Sequence, residues 1–147
     1  MIDVGDKRLV KRRAVASGRI RLSERSIEAV RGGGVKKGDT LECARVAATL
    51  AVKKVPDLVP YCHHIPIDEV IVGFSIDASW ISCDCEVRAH YRTGVEMEAL
   101  MGVQIALPTI WDMVKYIEKD ESGQYPITEI CGVKVLTKEK GIYDKYR

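Results

Sequence analysis

The chain has 147 residues, near the modal size of a single domain, and at that length about two-thirds of the unfolded surface can be buried. A hydrophobic fraction of 46% and a charged fraction of 30% exclude a disordered or fibrous chain, and no apolar run approaches the ~18 residues of a membrane span. Net charge is only +2, but from Lys7 to Arg25 eight basic residues face a single acid, Glu24, a bias that suits a polyanion, whether nucleic acid or a triphosphate, or a solvated face of a strand and helix.

The N-terminus carries Asp3, Asp6 and then basic residues without an apolar stretch, so a cytoplasmic location is expected. Five cysteines at irregular spacings suit a reducing compartment better than a disulfide framework. Cys83 and Cys85 lie two apart on an expected strand and share a face, without the spacing of a zinc or redox motif.

In chain order, residues 13–22 alternate with Ala14, Ala16, Gly18, Ile20 and Leu22 on one side, which predicts a half-buried strand. Ser23 is a helix N-cap, and the helix through Val30 stops at Gly32-Gly33-Gly34. That glycine run is not a phosphate-binding P-loop, because Asp39 stands where the lysine is required. Asp39 with Glu42 opens a second helix, which Val55-Pro56 ends. Val70 to Ile76 and Ile81 to Tyr91 then alternate as a hairpin across Ala78-Ser79. A long helix is expected from Val95 to Lys119, kinked or divided at Pro108. Ile127–Ile130 and Val133–Lys138 are expected as two short strands, with a charged tail from Glu139. The order points to one α+β domain over residues 1–147, with helices packed on one face of an antiparallel sheet.

Four segments carry chemistry. Lys36-Lys37-Gly38-Asp39 places a lysine at a helix entrance, where free N–H groups favour an anion. Tyr61-Cys62-His63-His64 holds two imidazoles and a thiol between Pro60 and Pro66; adjacent side chains diverge, so one histidine at most faces a given site. Arg92-Thr93-Gly94-Val95-Glu96-Met97-Glu98 puts two carboxylates at a helix start, either of which can accept the paired N–H donors of a guanine edge. Asp112 and Lys115 are i, i+3 neighbours, a surface ion pair or, in a cleft, a tuned proton donor.

Together these segments resemble the family of molybdenum cofactor biosynthesis protein C, the cyclic pyranopterin monophosphate synthases. The resemblance rests on the lysine-glycine-aspartate turn, the cysteine-histidine loop, the string Thr93-Gly94-Val95-Glu96-Met97-Glu98-Ala99-Leu100 and the helix Thr109-Ile110-Trp111-Asp112-Met113-Val114-Lys115, all in the family's order. It implies a ferredoxin-like fold, a homohexamer built as a trimer of dimers with active sites at the dimer interface, and a lyase reaction. The implied substrate is 3′,8-cyclo-7,8-dihydro-GTP from a radical-SAM partner enzyme, converted to cyclic pyranopterin monophosphate with release of pyrophosphate. Asp112, Lys115 and Lys37 match the catalytic positions. Tyr61, Cys62, His63, Met97 and Glu98, with Glu96 beside them, match the substrate-binding ones, and Arg12, Lys53 and Lys138 align with further basic positions of the pocket. No metal ligand and no cofactor is implied beyond a magnesium ion accompanying the triphosphate, and neither nucleic acid nor membrane is an expected partner.

The chain departs from the family pattern at His64, usually proline, at Pro108, usually leucine, and in Thr137 to Ile142, usually glycine-rich. Two rival functions use the same residues. A metal hydrolase would need His63 or His64, Cys62, His90 and a carboxylate to converge. An RNA-binding module would use the basic N-terminal stretch, although the chain lacks an aromatic RNA-reading motif.

Overall fold

In the computed structural model the described residues are 1–141. They form β1 (Val10–Arg21), α1 (Glu24–Gly32), α2 (Thr40–Val52), the single turn α3 (Val55–Leu58), β2 (Ile67–Ile76), β3 (Trp80–Tyr91), α4 (Glu96–Glu118) and β4 (Glu129–Lys140). The strands make one antiparallel sheet in the order β2-β3-β1-β4. β3 lies between β1 and β2, so these two run parallel and are joined by a split crossover through α1 to α3, the ferredoxin-like arrangement. The remainder of the charged tail lies outside the described residues. Among those described, no helix is long and apolar enough to cross a membrane.

Local chemistry sets the helix starts. The Ser23 hydroxyl accepts the Ser26 N–H, and the Asp39 carboxylate accepts the Glu42 N–H at 3.0 Å. The buried Glu118 carboxylate, at the end of α4, accepts from the Ser23 N–H and from the hydroxyls of Ser23, Ser26 and Thr128, which ties α1, α4 and the approach to β4 to one group.

Three expectations are corrected. Val55-Pro56 does not end α2, which stops at Val52; it opens α3, because proline suits a helix's first turn, where its missing N–H is no loss. Pro108 does not divide α4, which continues from Glu96 to Glu118. Ala106, Leu107 and Ile110 are fully buried around it, and that packing outweighs one missing hydrogen bond. The two short C-terminal strands are one, β4, with register shifts opposite Ser17/Arg19 and Val15/Ala16. Gly132, at φ 68°, absorbs the first shift as a bulge, which breaks the alternation without breaking the ladder.

The core lies between sheet and helices. Ala14, Ala16, Ile20, Ile81, Cys83, Cys85 and Val87 of the strands and Ala99, Val103, Ala106, Leu107, Ile110 and Val114 of α4 share this core, all at 0% exposure. Burial pushes the Cys83 and Cys85 thiols up to about 12, so they pack as small apolar groups. The opposite face carries an ion-pair ladder across all four strands. Glu69 pairs with Arg88 at 2.9 Å, Arg88 with Glu86 at 2.7 Å, Glu86 with Arg13 at 2.7 Å, and Arg13 with Glu139 at 2.9 Å.

A Cβ at Gly102 would stand 2.5 Å from the Cys85 sulfur and 3.1 Å from a Val52 methyl. Gly102→Ala is therefore expected to destabilise the fold by about 1–3 kcal/mol through overpacking, measured as a lower urea midpoint at unchanged slope.

Candidate active site

The side chains singled out in the sequence gather at two ends of α4. Near its C-terminal end, Asp112 is held between two ammonium groups. Lys115 reaches one carboxylate oxygen at 2.8 Å. Lys37, from the turn between α1 and α2, reaches the other at 3.0 Å and the Asp112 carbonyl at 2.7 Å. Gly38, at φ 115°, lets the chain turn back into α2 after presenting Lys37. Tyr116 fixes that turn, its hydroxyl accepting the Lys36 N–H at 2.7 Å.

Hydrogen bonds from Lys115 and then Lys37 hold the Asp112 carboxyl below its ordinary value, and the bond to Asp112 raises Lys115. The trio presents two ammonium groups on one carboxylate, an arrangement able to stabilise a developing oxyanion or leaving group. It is open to solvent in the single chain, with side-chain exposures of 39% for Lys37, 55% for Asp112 and 42% for Lys115.

At the other end, Tyr61, Cys62 and His63 line a cleft of about 430 Å³ with Glu96, Met97 and Glu98. Thr93, Gly94 and Glu96 also border a basin of about 680 Å³ that holds Lys7, Arg8, Arg12, Arg92, Lys138 and Lys140. Strand register builds this basin, since Arg12 pairs with Lys140 and Ala14 with Lys138 across β1 and β4. Arg12 donates to the Arg92 carbonyl at 3.0 Å, and Arg92 donates to the Lys7 carbonyl at 3.1 Å, which ties the N-terminal segment to the rim. Lys138 is hydrogen-bonded to Glu96. Burial pushes the Glu96 carboxyl up, but the Lys138 bond, its own backbone N–H and the charges of Lys138 and Arg12 bring it below the ordinary range.

Glu98 behaves differently. It is 3% exposed, and burial, with the charge of Glu96 adding to it, pushes its carboxyl up to about 7 against the pull of its own backbone N–H. Cys62 is raised by burial first and by Glu98 second, so its thiol holds its proton at neutral pH.

The two histidines diverge as expected: His63 lines the cleft, while His64 lines a separate cavity of about 260 Å³. Lys53 lines that second cavity and not the cleft. Along α4, Glu98 and Asp112 are fourteen residues apart, roughly 21 Å at 1.5 Å per residue, so the expected catalytic and binding residues do not meet in one chain. Lys140 and Tyr116 escaped the sequence reading, and Arg92 entered it only as part of the third segment, without a role of its own. Only the place of Arg92, directly before the Thr93-Gly94 string, hinted at a role. Three convergent metal ligands, as a zinc hydrolase requires, are not found among the described residues.

Comparison with known proteins adds a family. The profile described as the MoaC family matches residues 1–141. A protein of Thermococcus onnurineus named a probable cyclic pyranopterin monophosphate synthase is 56% identical over 140 residues, which cover 95% of this chain and 90% of that one. Proteins of the same name from Thermococcus kodakarensis and Pyrococcus abyssi are 54% and 53% identical, over 96% and 95% of this chain and 90% and 88% of theirs.

Because the neutral form of Glu98 is favoured in the fold, the native chain keeps a proton that the unfolded chain has lost above its ordinary value of 4.5. Its contribution therefore falls as pH rises from 4.5 to about 7 and stays low above that. The gap corresponds to roughly 3 kcal/mol at most. Glu98→Gln, which has no proton to lose, is expected to gain stability relative to the unmutated chain across that window and to hold the gain at pH 8, as read by urea unfolding.

Proposed function

The chain belongs to the MoaC family, and we propose that it is the cyclic pyranopterin monophosphate synthase of a molybdenum cofactor pathway, acting on 3′,8-cyclo-7,8-dihydro-GTP. The observation that carries this is the division of labour along α4. One end offers a cleft for a nucleobase-sized ring system beside a strongly basic basin for polyphosphate, and the other offers two ammonium groups on one aspartate.

The reaction opens the five-membered ring of the guanine, closes a pyrazine ring, forms a cyclic phosphate and expels pyrophosphate. The ring opening and closure exchange carbon–nitrogen bonds with accompanying proton transfers, the phosphoryl transfer expels pyrophosphate, and the overall conversion involves no net oxidation or reduction. Glu96, ionised, accepts from the guanine-derived edge, while Arg12, Lys138 and their neighbours hold the triphosphate. Lys37 and Lys115 give and take protons, and Asp112 orients both and makes Lys115 hold its proton more tightly. No resident cofactor is called for; magnesium enters as the counter-ion of the triphosphate, and the substrate comes from a radical-SAM enzyme.

A gap of roughly 21 Å between the two ends leaves each incomplete alone, so a second copy completes the site. The exposed stripe of α4 runs Met97, Met101, Ile105, Pro108, Asp112, Tyr116, at the i, i+3 and i, i+4 spacing of one helical face. Ile105 lies midway between Glu98 and Asp112. A two-fold axis near Ile105 sets α4 antiparallel to its counterpart, brings the lysine-aspartate trio of one copy to the cleft of the other, and shields both from water. Three such dimers make the hexamer.

Incubating the protein with the cyclised nucleotide should yield cyclic pyranopterin monophosphate, measured after oxidation to its fluorescent derivative, together with one equivalent of pyrophosphate. Folded protein that releases neither removes the synthase function. Lys37→Ala, Lys115→Ala and Asp112→Asn should each lower kcat by at least about a hundredfold with little change in Tm; a variant at the normal rate takes its residue out of the mechanism. Mixing inactive Lys115→Ala and His63→Ala proteins under conditions that exchange subunits should restore up to about a quarter of the activity, because half the dimers then carry one intact site. No restored activity with demonstrated exchange means that each site is built within one chain.

A further inference from the structure

Glu98 and Ile65 form the partition between the substrate cleft and the second cavity, since both line each space. The second cavity, about 260 Å³, has apolar walls of Val52, Pro56 and Pro66, with exposed His64 and Lys53 at its border. That volume holds several water molecules at ~30 Å³ each. Of the titratable groups that line these spaces with Glu98, Tyr61, Cys62, His63 and Lys7 stand on the cleft side, Lys53 and His64 on the cavity side, and Glu96 on the same helix. The charge that acts on the Glu98 carboxyl is the like-signed one of Glu96, itself engaged by Lys138. A carboxyl 3% exposed in such a place keeps its proton close to neutral pH, with burial pushing it up to about 7.

A substrate bound in the cleft would separate Glu98 from water on that side, since Glu98 is part of its lining. The second cavity remains as the path by which a proton spent in the cleft is replaced, and imidazole is the side chain suited to exchange protons with solvent near neutral pH.

We propose that Glu98 donates a proton to a ring nitrogen of the substrate and recovers it from solvent through the second cavity, with His64 as the exchanging group at its mouth. The proposal rests on the synthase function given above. In the donating step the Glu98 O–H bond breaks, an N–H bond forms on the substrate, and the O–H electron pair stays on the carboxylate. The imidazolium of His64 then returns a proton through cavity water and takes one from solvent; no electrons are transferred to or from the protein. His64 is a positioning residue in this scheme, acting through Glu98.

The test uses the full chain in its native assembly. Glu98→Gln keeps shape and hydrogen bonding but has no acidic proton; its kcat should fall about a hundredfold or more while the Kd for the cyclised nucleotide stays within about threefold. His64→Gln should slow turnover several-fold in dilute buffer, with added imidazole restoring the rate, whereas imidazole leaves Glu98→Gln slow. A kcat for Glu98→Gln within about threefold of normal overturns the donor role. A His64→Gln rate equal to the unmutated one at every buffer concentration overturns the relay.

Failure of the unmutated protein to make product would instead count against the synthase function, and the proton-holding part is then decided without substrate. The carboxyl carbon-13 resonance of Glu98, identified by its loss in Glu98→Gln, should titrate near neutrality, and an ordinary carboxylate midpoint would overturn it.

Discussion

A backbone that comes within van der Waals contact of both a sheet and another helix leaves no room for a side chain, and Gly102 is where that happens. α4 lies there against Cys85 of β3 on one side and Val52 of α2 on the other. Gly18 repeats the constraint from the sheet, where a Cβ would meet Val103, Leu107 and Val133 at 2.9–3.0 Å. Close packing of this kind fixes the height and rotation of α4. The rest follows from it, because α4 carries Glu96, Met97 and Glu98 at one end and Asp112 and Lys115 at the other. The Glu118 carboxylate then fastens the far end to α1 and to the approach to β4 through serine and threonine donors.

The same helix separates two kinds of electrostatics. Lys115 sits in its last turn, where a cation is favoured by the backbone dipole, and is held by Asp112 in the open. At the first turn the two acids, two residues apart, part company: Glu96 turns back over Gly94 to the basic basin and stays ionised, whereas Glu98 turns into the protein and is pushed toward the neutral acid. Identical side chains thus differ in state because one faces Lys138 and Arg12 and the other faces the interior.

Much of this was legible in the residues, and the misses have physical causes. Ser23 and Asp39 declared two helix starts because capping is a local hydrogen bond, and the hairpin of β2 and β3 declared itself by alternation. β4 was read as two strands because a bulge at Gly132 interrupts alternation while the ladder with β1 continues. Pro108 does not divide α4, since its cost is local and the burial of Ala106, Leu107 and Ile110 is not. In the site, the lysine-aspartate trio and the cysteine-histidine loop stood out by composition. The basic basin did not, because Lys140 meets Arg12 only through strand register. That Lys53 belongs with His64 and not with the cleft is likewise a matter of tertiary packing.

The closest approach at Gly102 also makes α4 a lever with unequal arms. Glu98 lies four residues from that point and Asp112 ten, about 6 Å and 15 Å along the axis. A tilt of roughly 4° about Gly102 would shift Asp112 by about 1 Å and Glu98 by less than half of that, and ångström displacements of catalytic groups are enough to slow a reaction about a hundredfold. Strain entering the fold near the glycine contact is therefore magnified at the Asp112 end of the helix and muted at the Glu98 end. Substitutions that loosen the seat of α4 should displace the lysine-aspartate trio before they disturb the cleft.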